Sequence, residues 1–373
     1  HLIIIVKIKK KIMNVCIIGN NLTALLLSKV LINKGIKVEL CYELNKKERY
    51  NKKNYSRTIG LSNSSIDFLK KENILNNNNI WDIKEIELYR QSKSKKFLNF
   101  KSEKCFSVIT YNNFLKLLVK SLNNRKNFRR KKIFLKENFL NQIKKKNEVV
   151  INTENSNFVY KRYFSNQVKK DYKSFGFTTI LTHSKILNRS AMQHFTNYGT
   201  LAFLPISNFK TSVVFSIFNK KLFNNENKII DLIKFFNIKY NIKSLEKLEK
   251  FPINLSLSRK YYHKNILSFG ENLHKIHPIA GQGFNMTIRD TKELSSLIKE
   301  NLELGLNLSS VLEKFEKRRK NSNFLFASGI NFFHEFFKFT NKYNFGTIDR
   351  IFKYIDDNNY IKNKFQNYAD KGF

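Results

Sequence analysis

Residues 14–43 constrain the chain more than any other stretch. An apolar run, Asn14-Val15-Cys16-Ile17-Ile18, meets a turn at Gly19. "LLLSKVLINKG" then sets Leu25, Leu26, Ser28, Lys29, Leu31 and Ile32 at helical spacing and stops at Gly35. Glycine suits that stop because the residue closing a helix often takes a left-handed conformation. A second strand, "IKVELCYE", follows. Strand, tight turn, helix and strand within about thirty residues form a βαβ unit whose two strands run parallel.

Such a unit asks for a large surrounding fold, and 373 residues supply one large domain or two smaller ones. Hydrophobic residues make up 42% of the chain, which argues against wholesale disorder. Lysine and arginine outnumber aspartate and glutamate by 69 to 29, a net charge of +40. That excess could mark nucleic-acid binding, attraction to anionic lipid, or biased codon usage. Lysine is spread along the whole chain, and Pro falls to 3 and Gly to 12 while Phe rises to 35. We favour codon usage as the main cause, with attraction to an anionic membrane surface as its physical consequence. No nucleic-acid motif is present, so no nucleic-acid partner is expected. Cys16, Cys41 and Cys105 form no CxxC pair and read as buried thiols of a reducing compartment. No run reaches the ~20 apolar residues that span a bilayer. The opening "HLIIIVKIKKKI" is too short for the apolar region of a signal peptide, and residues 1–12 are expected to extend outside the fold ahead of Met13.

Further along, "SRTIGLSNSSIDFLKKENIL" reads as an extended piece and a helix capped by Ser62, Asn63 or Ser64. Residues 84–109 read as strands around the polar "RQSKSKK", and "YNNFLKLLVKSL" as an amphipathic helix. Residues 132–164 alternate like antiparallel strands. The strands "FTTILTH", "GTLAFLPI" and "TSVVFSIF" dominate 174–217, and "NKIIDLIKFFN" reads as a helix. From about 308 the chain is helical and rich in phenylalanine.

Two stretches carry chemistry. In a dinucleotide-binding turn three glycines make the bend, admit the pyrophosphate and let helix pack on strand. Here Gly19 supplies the first and Ala24 an acceptable third, while Asn21 replaces the second, with Leu22 and Thr23 between them. The acid that would grip ribose hydroxyls is replaced at its expected place by Tyr42, with Glu43 one residue late on the opposite face. Taken alone, this turn reads equally as a βαβ unit with no nucleotide. The second stretch, "LSFGENLHKIHPIAGQGFNMTIRD" (267–290), says more. A buried strand ends at Gly270 with Glu271 at its carboxyl end, and a loop through Pro278 and Gly281-Gln282-Gly283 opens a helix at Phe284-Asn285. Backbone N–H groups at a helix start suit a developing negative charge, and flanking glycines let backbone approach a flat ring. His274, His277 and His263 could suggest a metal, but no fourth ligand is placed to complete zinc, and none is expected.

The same stretch resembles the "GD…HP.xGQG.N.G..D" segment of flavin-dependent aromatic hydroxylases, and is most similar to the "HPIAGQGxNxGxRD" form of the ubiquinone-biosynthesis hydroxylases. "RTIGLSNSSIDFL", "MQHFTNYGTLAFLPI", "FPINLSLSRKYYHKNILSFGE" and "FEKRRKNSNFLF" match that family in order, from residue 13 to the end. The resemblance implies an α/β fold of the p-hydroxybenzoate hydroxylase type: a Rossmann-like FAD-binding domain interleaved with a β-sheet substrate domain, then a helical C-terminal segment. The expected parts are 13–75, 111–170 and 261–305 for FAD, 76–110 and 171–260 for substrate, and 306–373 for the helical tail, which could meet a membrane. It implies Glu271 on the FAD ribityl chain, Arg57 near the pyrophosphate or ring edge, and the 278–283 loop along the isoalloxazine. The implied activity is ring hydroxylation of a polyprenylphenol with NAD(P)H and O2, with no catalytic residue beyond the flavin. The expected setting is the inner face of a bacterial cytoplasmic membrane or its matrix-side equivalent, with other ubiquinone-biosynthesis proteins as candidate partners. Departures include Asn113 for an arginine and no Asp-Gly between Tyr160 and Tyr172, where the family carries one for cofactor contacts. They leave open a redox-inactive member acting as scaffold or lipid-binding partner.

Overall fold

β1 (Asn14–Ile18) and β2 (Lys37–Tyr42) pair in parallel, Val15 against Val38 and Ile18 against Cys41, with α1 (Leu22–Asn33) between them in sequence. Every residue of α1 from Leu22 to Leu31 is buried, so the helix is a core element and not an amphipathic surface one. The computed structural model describes residues 14–43, 56–90, 96–278, 281–306, 308–342 and 354–372. The expected extension at 1–12 lies outside them.

Two further strands complete the parallel core. β6 (Phe128–Lys132) pairs with the free edge of β2, and β7 (Val149–Asn152) with the other side of β1. The expectation of antiparallel strands over 132–164 is therefore corrected. Between β6 and β7 lies α4 (Glu137–Lys146), which buries Leu140 and Ile143, and α5 (Phe158–Tyr163) follows β7. The apparent alternation came from Ile133 and Leu135 pinning a connection against that core, and from helical spacing within α4. β7 is buried at all four positions, as a central parallel strand must be. A short hairpin, β14 (Tyr262–His263) and β15 (Ile266–Ser268), closes the sheet, β15 lying parallel to β7.

Apart from β16, which follows the last strand of the first sheet, the second sheet comes from segments inserted between these strands. Its path is β16 (His274–Lys275), β13 (Glu249–Ser258), β8 (Gln167–His183), β11 (Lys210–Ile217), β10 (Gly199–Pro205), β9 (Ser190–Thr196), β4 (Trp81–Arg90), β5 (Lys96–Thr110) and β3 (Thr58–Leu61), with β12 (Ile242–Leu245) beside β8. The β4–β9 pair is parallel and the other pairs are antiparallel. Its two faces have different neighbours. Phe177, Val213, Phe215, Leu201 and Phe203 point into a core covered by α6 (Glu226–Phe236). Their alternates, Thr200, Ala202, Leu204 and Val214, are only half-buried on the other face.

That second face looks towards β3: Ser212 accepts a hydrogen bond from Thr58 at 3.0 Å, and Ser56 lies 2.7 Å from Thr178. α2 (Asn63–Lys71) begins directly after β3, and Ser62 is the cap that its side chain provides. α3 (Tyr111–Leu122) packs on α1, and α7 (Gly283–Glu303) on both α1 and α8 (Ser309–Lys342). α8 buries Phe315, Phe326, Ala327, Ile330 and Phe337, whereas Phe324, Leu325, Phe332 and Phe339 are exposed. α9 (Asn359–Lys371) reaches back to α2, where Asp370 accepts from Ser64 N–H at 2.9 Å.

Candidate functional site

The end of β1 is bound tightly to the turn that follows β7. Gly19 has φ +137°, and a Cβ there would lie 2.2 Å from the Thr153 hydroxyl oxygen. Glycine is required at this position by a neighbouring turn, before any ligand is considered. Asn21 turns its side chain back onto its own helix and the neighbouring turn. Its Oδ1 caps α1 by accepting from Ala24 N–H at 3.0 Å, and its Nδ2 donates to the Thr153 carbonyl at 2.9 Å and to Glu154 Oε1 at 3.1 Å. Asparagine is among the best residues for that capping role, which explains why a glycine position can hold one here. Leu22, Thr23 and Ala24 are buried in the first turn of α1.

Glu154 is the acid that sequence reasoning missed. Its Oε1 also accepts from Asn20 N–H at 3.2 Å, so a carboxylate sits on the turn between β1 and α1. The position sought between Tyr160 and Tyr172 falls in the end of α5 and the start of β8, away from this turn. An acid instead stands at the carboxyl end of β7, within Thr153-Glu154-Asn155. Without the glycine, only the βα geometry reveals it.

At the ends of β2 and β6, Arg130 reaches Asn20 Oδ1 and lies 4.8 Å from the centre of the Tyr42 ring. Glu43 Oε1 accepts from Leu135 N–H at 2.7 Å, which gives this acid a structural role in holding the β6–α4 connection. Tyr42 and Glu43 thus lie close to the turn, though each already has a partner.

The other half converges from distant parts of the chain. Arg57 Nη2 donates to Glu271 Oε1 at 3.3 Å across 214 residues, and both side chains remain about half exposed. Such an exposed pair contributes little to stability, roughly 0–1 kcal/mol, so its groups can exchange partners cheaply. Glu271 lies in a 3-10 turn, Gly270–Asn272, whose Gly270 has φ +72°. A Cβ on Gly270 would lie 2.6 Å from the Thr23 methyl group, so this turn is fitted against the first turn of α1.

Gly281, with φ +63°, faces the backbone of Gly60 in β3; an added Cβ would come 3.6 Å from Gly60 Cα. Its N–H donates to the Pro278 carbonyl at 3.1 Å. Gln282 precedes α7 without capping it, leaving the first turn of a 21-residue helix without a side-chain cap. The orphan N–H groups and dipole at such an end favour an anion or a polarised oxygen. Gly283, Phe284 and Asn285 form that turn. Asn285 clips it to β3, donating to the Gly60 carbonyl at 3.0 Å and accepting from Ser62 N–H at 3.1 Å. Phe284 meets Phe114 of α3 edge-on at 5.7 Å. Arg57, Gly60, Gly281 and the start of α7 therefore line one region, with Glu271 beside it.

The three histidines diverge. His274 Nε2 donates to Asp290 Oδ2 at 2.7 Å, His277 stacks on His334 of α8 at 4.0 Å, and His263 stacks on Tyr163 at 4.5 Å. Asp290 also accepts from Arg319 Nε at 2.7 Å and from Asn323. Burial would raise its carboxyl, but the His274 hydrogen bond and the Arg319 charge outweigh that and hold it below the usual range. This cluster, buried at His274, Asp290 and Asn323 and partly exposed at Arg319, anchors the Glu271–Pro278 segment to α7 and α8.

These features define a class: a Rossmann-like sheet with an interleaved β-sheet domain, as in p-hydroxybenzoate hydroxylase-type flavin monooxygenases. The fold matches p-nitrophenol 4-monooxygenase PnpA of Pseudomonas putida with a TM-score of 0.74 at 11% identity, over 96% of this chain and 98% of that one. It matches HpxO of Klebsiella pneumoniae, solved with FAD and uric acid, with a TM-score of 0.71 at 9% identity, over 96% and 97%. By sequence, the chain is 32% identical over 81 residues to the ubiquinone biosynthesis monooxygenase COQ6 of Dictyostelium discoideum, covering 21% of this chain and 16% of that protein. It is 27% identical over 152 residues to 3-demethoxyubiquinol 3-hydroxylase of Escherichia coli, 39% of each. Its homologues are thus ubiquinone-biosynthesis monooxygenases, matched over less than half of their own length. No protein-family profile matches the chain.

Proposed function

We propose that the chain is an FAD-dependent monooxygenase that hydroxylates the ring of a polyprenylated phenol in ubiquinone biosynthesis, with NAD(P)H as reductant and O2 as co-substrate. The observation that carries this reading is the meeting of Arg57, Glu271 and the uncapped start of α7 across more than 200 residues of sequence. The residues fit FAD on its flavin side. Gly281 presents bare backbone to Gly60, α7 starts without a side-chain cap among the described residues, and the Arg57–Glu271 pair is exposed enough to open.

When bound, FAD supplies the hard chemistry, taking reducing equivalents from NAD(P)H and activating O2 for transfer to the ring. The protein's share is binding, orientation and the exclusion of water. Glu271 would accept hydrogen bonds from ribityl hydroxyls, and Arg57 would balance the pyrophosphate charge. The N–H groups of Gly283 and Phe284 would stabilise negative charge on the ring system. The half-buried sheet face of Thr200, Ala202, Leu204 and Val214 supplies an apolar wall for an aromatic substrate.

A peripheral membrane setting is supported by the exposed Phe324, Leu325, Phe332 and Phe339 of α8 and by the chain's +40 charge. Among the described residues no helix is long and apolar enough to cross a membrane. A second reading, a redox-inactive scaffold or lipid-binding partner, is favoured by one observation: Glu154 and Asn21 already occupy the turn where the AMP side of FAD would lie. Purified protein separates the two. The enzyme reading expects flavin absorbance that NAD(P)H bleaches, and protein that stays colourless after incubation with FAD would refute it.

A further inference from the structure

A cavity of about 440 Å³ opens beyond the site just described, between β8, the end of β11 and α8. It is lined by Lys170, Asp171, Tyr172, Lys173, Phe218, Lys220, Glu335 and Lys338. Four ammonium groups against two carboxylates leave it cationic, and both carboxylates are already engaged. Asp171 Oδ1 accepts from Lys173 N–H at 2.8 Å, and Glu335 Oε1 accepts from Lys170 Nζ at 2.8 Å. Lys173, Lys220 and Lys338 make no ion pair among the described residues. Lys338 Nζ instead lies 5.7 Å from the centre of the Phe218 ring.

The wall behind these lysines is aromatic. Tyr172 is buried, its hydroxyl donating to Asn331 Oδ1 at 2.9 Å, and its ring meets His277 edge-on at 5.3 Å. His277 directly precedes Pro278 and the glycine loop. The cavity therefore combines a cationic rim, an aromatic floor and a volume within the range of small-molecule sites, ~300–1,000 Å³. Charges of one sign around a low-dielectric cleft focus their field into it and raise the local concentration of counter-ions. Lysine is common over the whole surface of this protein, but three ammonium groups outside any ion pair of the described residues, gathered around one concavity, differ from scattered solvated ones.

We propose that this cleft binds a small organic anion, a carboxylate- or phosphate-bearing molecule whose apolar part rests on Tyr172 and Phe218. The cleft's affinity rests on its own residues and not on the flavin reading.

The test uses the full-length protein and three probes: benzoate, inorganic pyrophosphate and phosphatidylglycerol vesicles. Acylation of individual lysines is followed by mass spectrometry with and without each probe. Binding of the two soluble anions is also measured by calorimetry, in the wild type and in the triple variant Lys173→Gln, Lys220→Gln, Lys338→Gln. A control variant changes the exposed Lys145, Lys228 and Lys314 to Gln. The proposal expects benzoate or pyrophosphate to protect the three cleft lysines saturably and selectively. It expects affinity to fall about tenfold or more in the cleft variant, equivalent to ~1.4 kcal/mol, and to hold in the control. Equal protection of the control lysines would overturn it in favour of diffuse surface charge. Protection by vesicles alone would overturn it in favour of a lipid-facing surface. Flavin uptake is measured in parallel and should be equal in the wild type and the cleft variant. A protein that takes up no FAD but shows the selective protection would refute the monooxygenase reading and leave this one standing.

Discussion

Gly270→Ala tests whether the two halves of the site are one unit. Gly270 has φ +72°, and a left-handed backbone costs an alanine roughly 1–2 kcal/mol. The added Cβ would also lie 2.6 Å from the Thr23 methyl and 3.0 Å from its hydroxyl, and overpacking of that kind costs roughly 1–3 kcal/mol. The expected loss is therefore about 2–5 kcal/mol. Thr23→Ala alone removes one buried methyl and a hydroxyl, a loss of about 1 kcal/mol. In the double variant the overlap with both γ atoms is gone and the backbone cost remains. The two changes should thus fail to add, with a favourable coupling of about 1–3 kcal/mol. Urea unfolding of the four proteins, followed by far-ultraviolet circular dichroism, measures this cycle. Flavin content in the same samples reports whether the seam matters for binding. Additive losses, within about 0.5 kcal/mol, would show that the α1 turn and the 270–272 turn are not packed as described.

Glu271→Ala should reduce retained FAD about 10- to 100-fold, the range for losing a charge-assisted hydrogen bond of ~1.5–3 kcal/mol; equal flavin content in Glu271→Ala and in Lys145→Ala would refute the assignment. Asp290→Asn should destabilise the fold by about 3–5 kcal/mol, because it removes the fully buried charge that the mostly buried Arg319 pairs with. A thermal midpoint unchanged from wild type would show that the His274–Asp290–Arg319 cluster does not hold the segment. His194, stacked on Tyr89 at 4.6 Å and enclosed by Phe203 and Phe236, is pushed down to about 4 by burial. Its neutral form is favoured in the fold, so its contribution is complete above the unfolded value of ~6.5 and is lost as pH falls towards 4. His194→Phe should recover about 2 kcal/mol of the stability that the wild type loses between pH 7 and pH 5, read from urea midpoints. An identical pH dependence in both proteins would contradict that assignment.

What could be read from the chain beforehand follows from where side chains, and not backbone, carry the information. β1, α1 and β2 were legible because their apolar residues are continuous or helically spaced. The flavin-side segment was legible because its glycines and Pro278 stand close together. β6 was not, since "FRRKK" has hardly an apolar side chain and joins the sheet through backbone hydrogen bonds to β2 alone. α4 was lost for a related reason: Leu140 and Ile143 are too few to outweigh the alternation around them. The role of Asn21 as the cap of α1 was not legible from its place in the glycine pattern.

Glu154 brings these threads together. The turn after β1 has lost two of its three glycines, yet its geometry is held by Asn21 and by an acid from the neighbouring βα turn. Replacing Gly with Asn at that position places a side-chain amide where bare backbone would have been, and the amide needs an acceptor. Glu154 Oε1 provides it while also taking the Asn20 N–H. The two departures from the dinucleotide pattern thus bond to each other, and each keeps a further contact, Asn21 with the Thr153 carbonyl and Glu154 with Asn20 N–H. The same pairing puts negative charge where the AMP side of FAD would bring more of it. On the proposed reading, cofactor binding on this side would depend on Arg130, which reaches Asn20, to offset that repulsion, while the flavin side would rely on Arg57 and the start of α7.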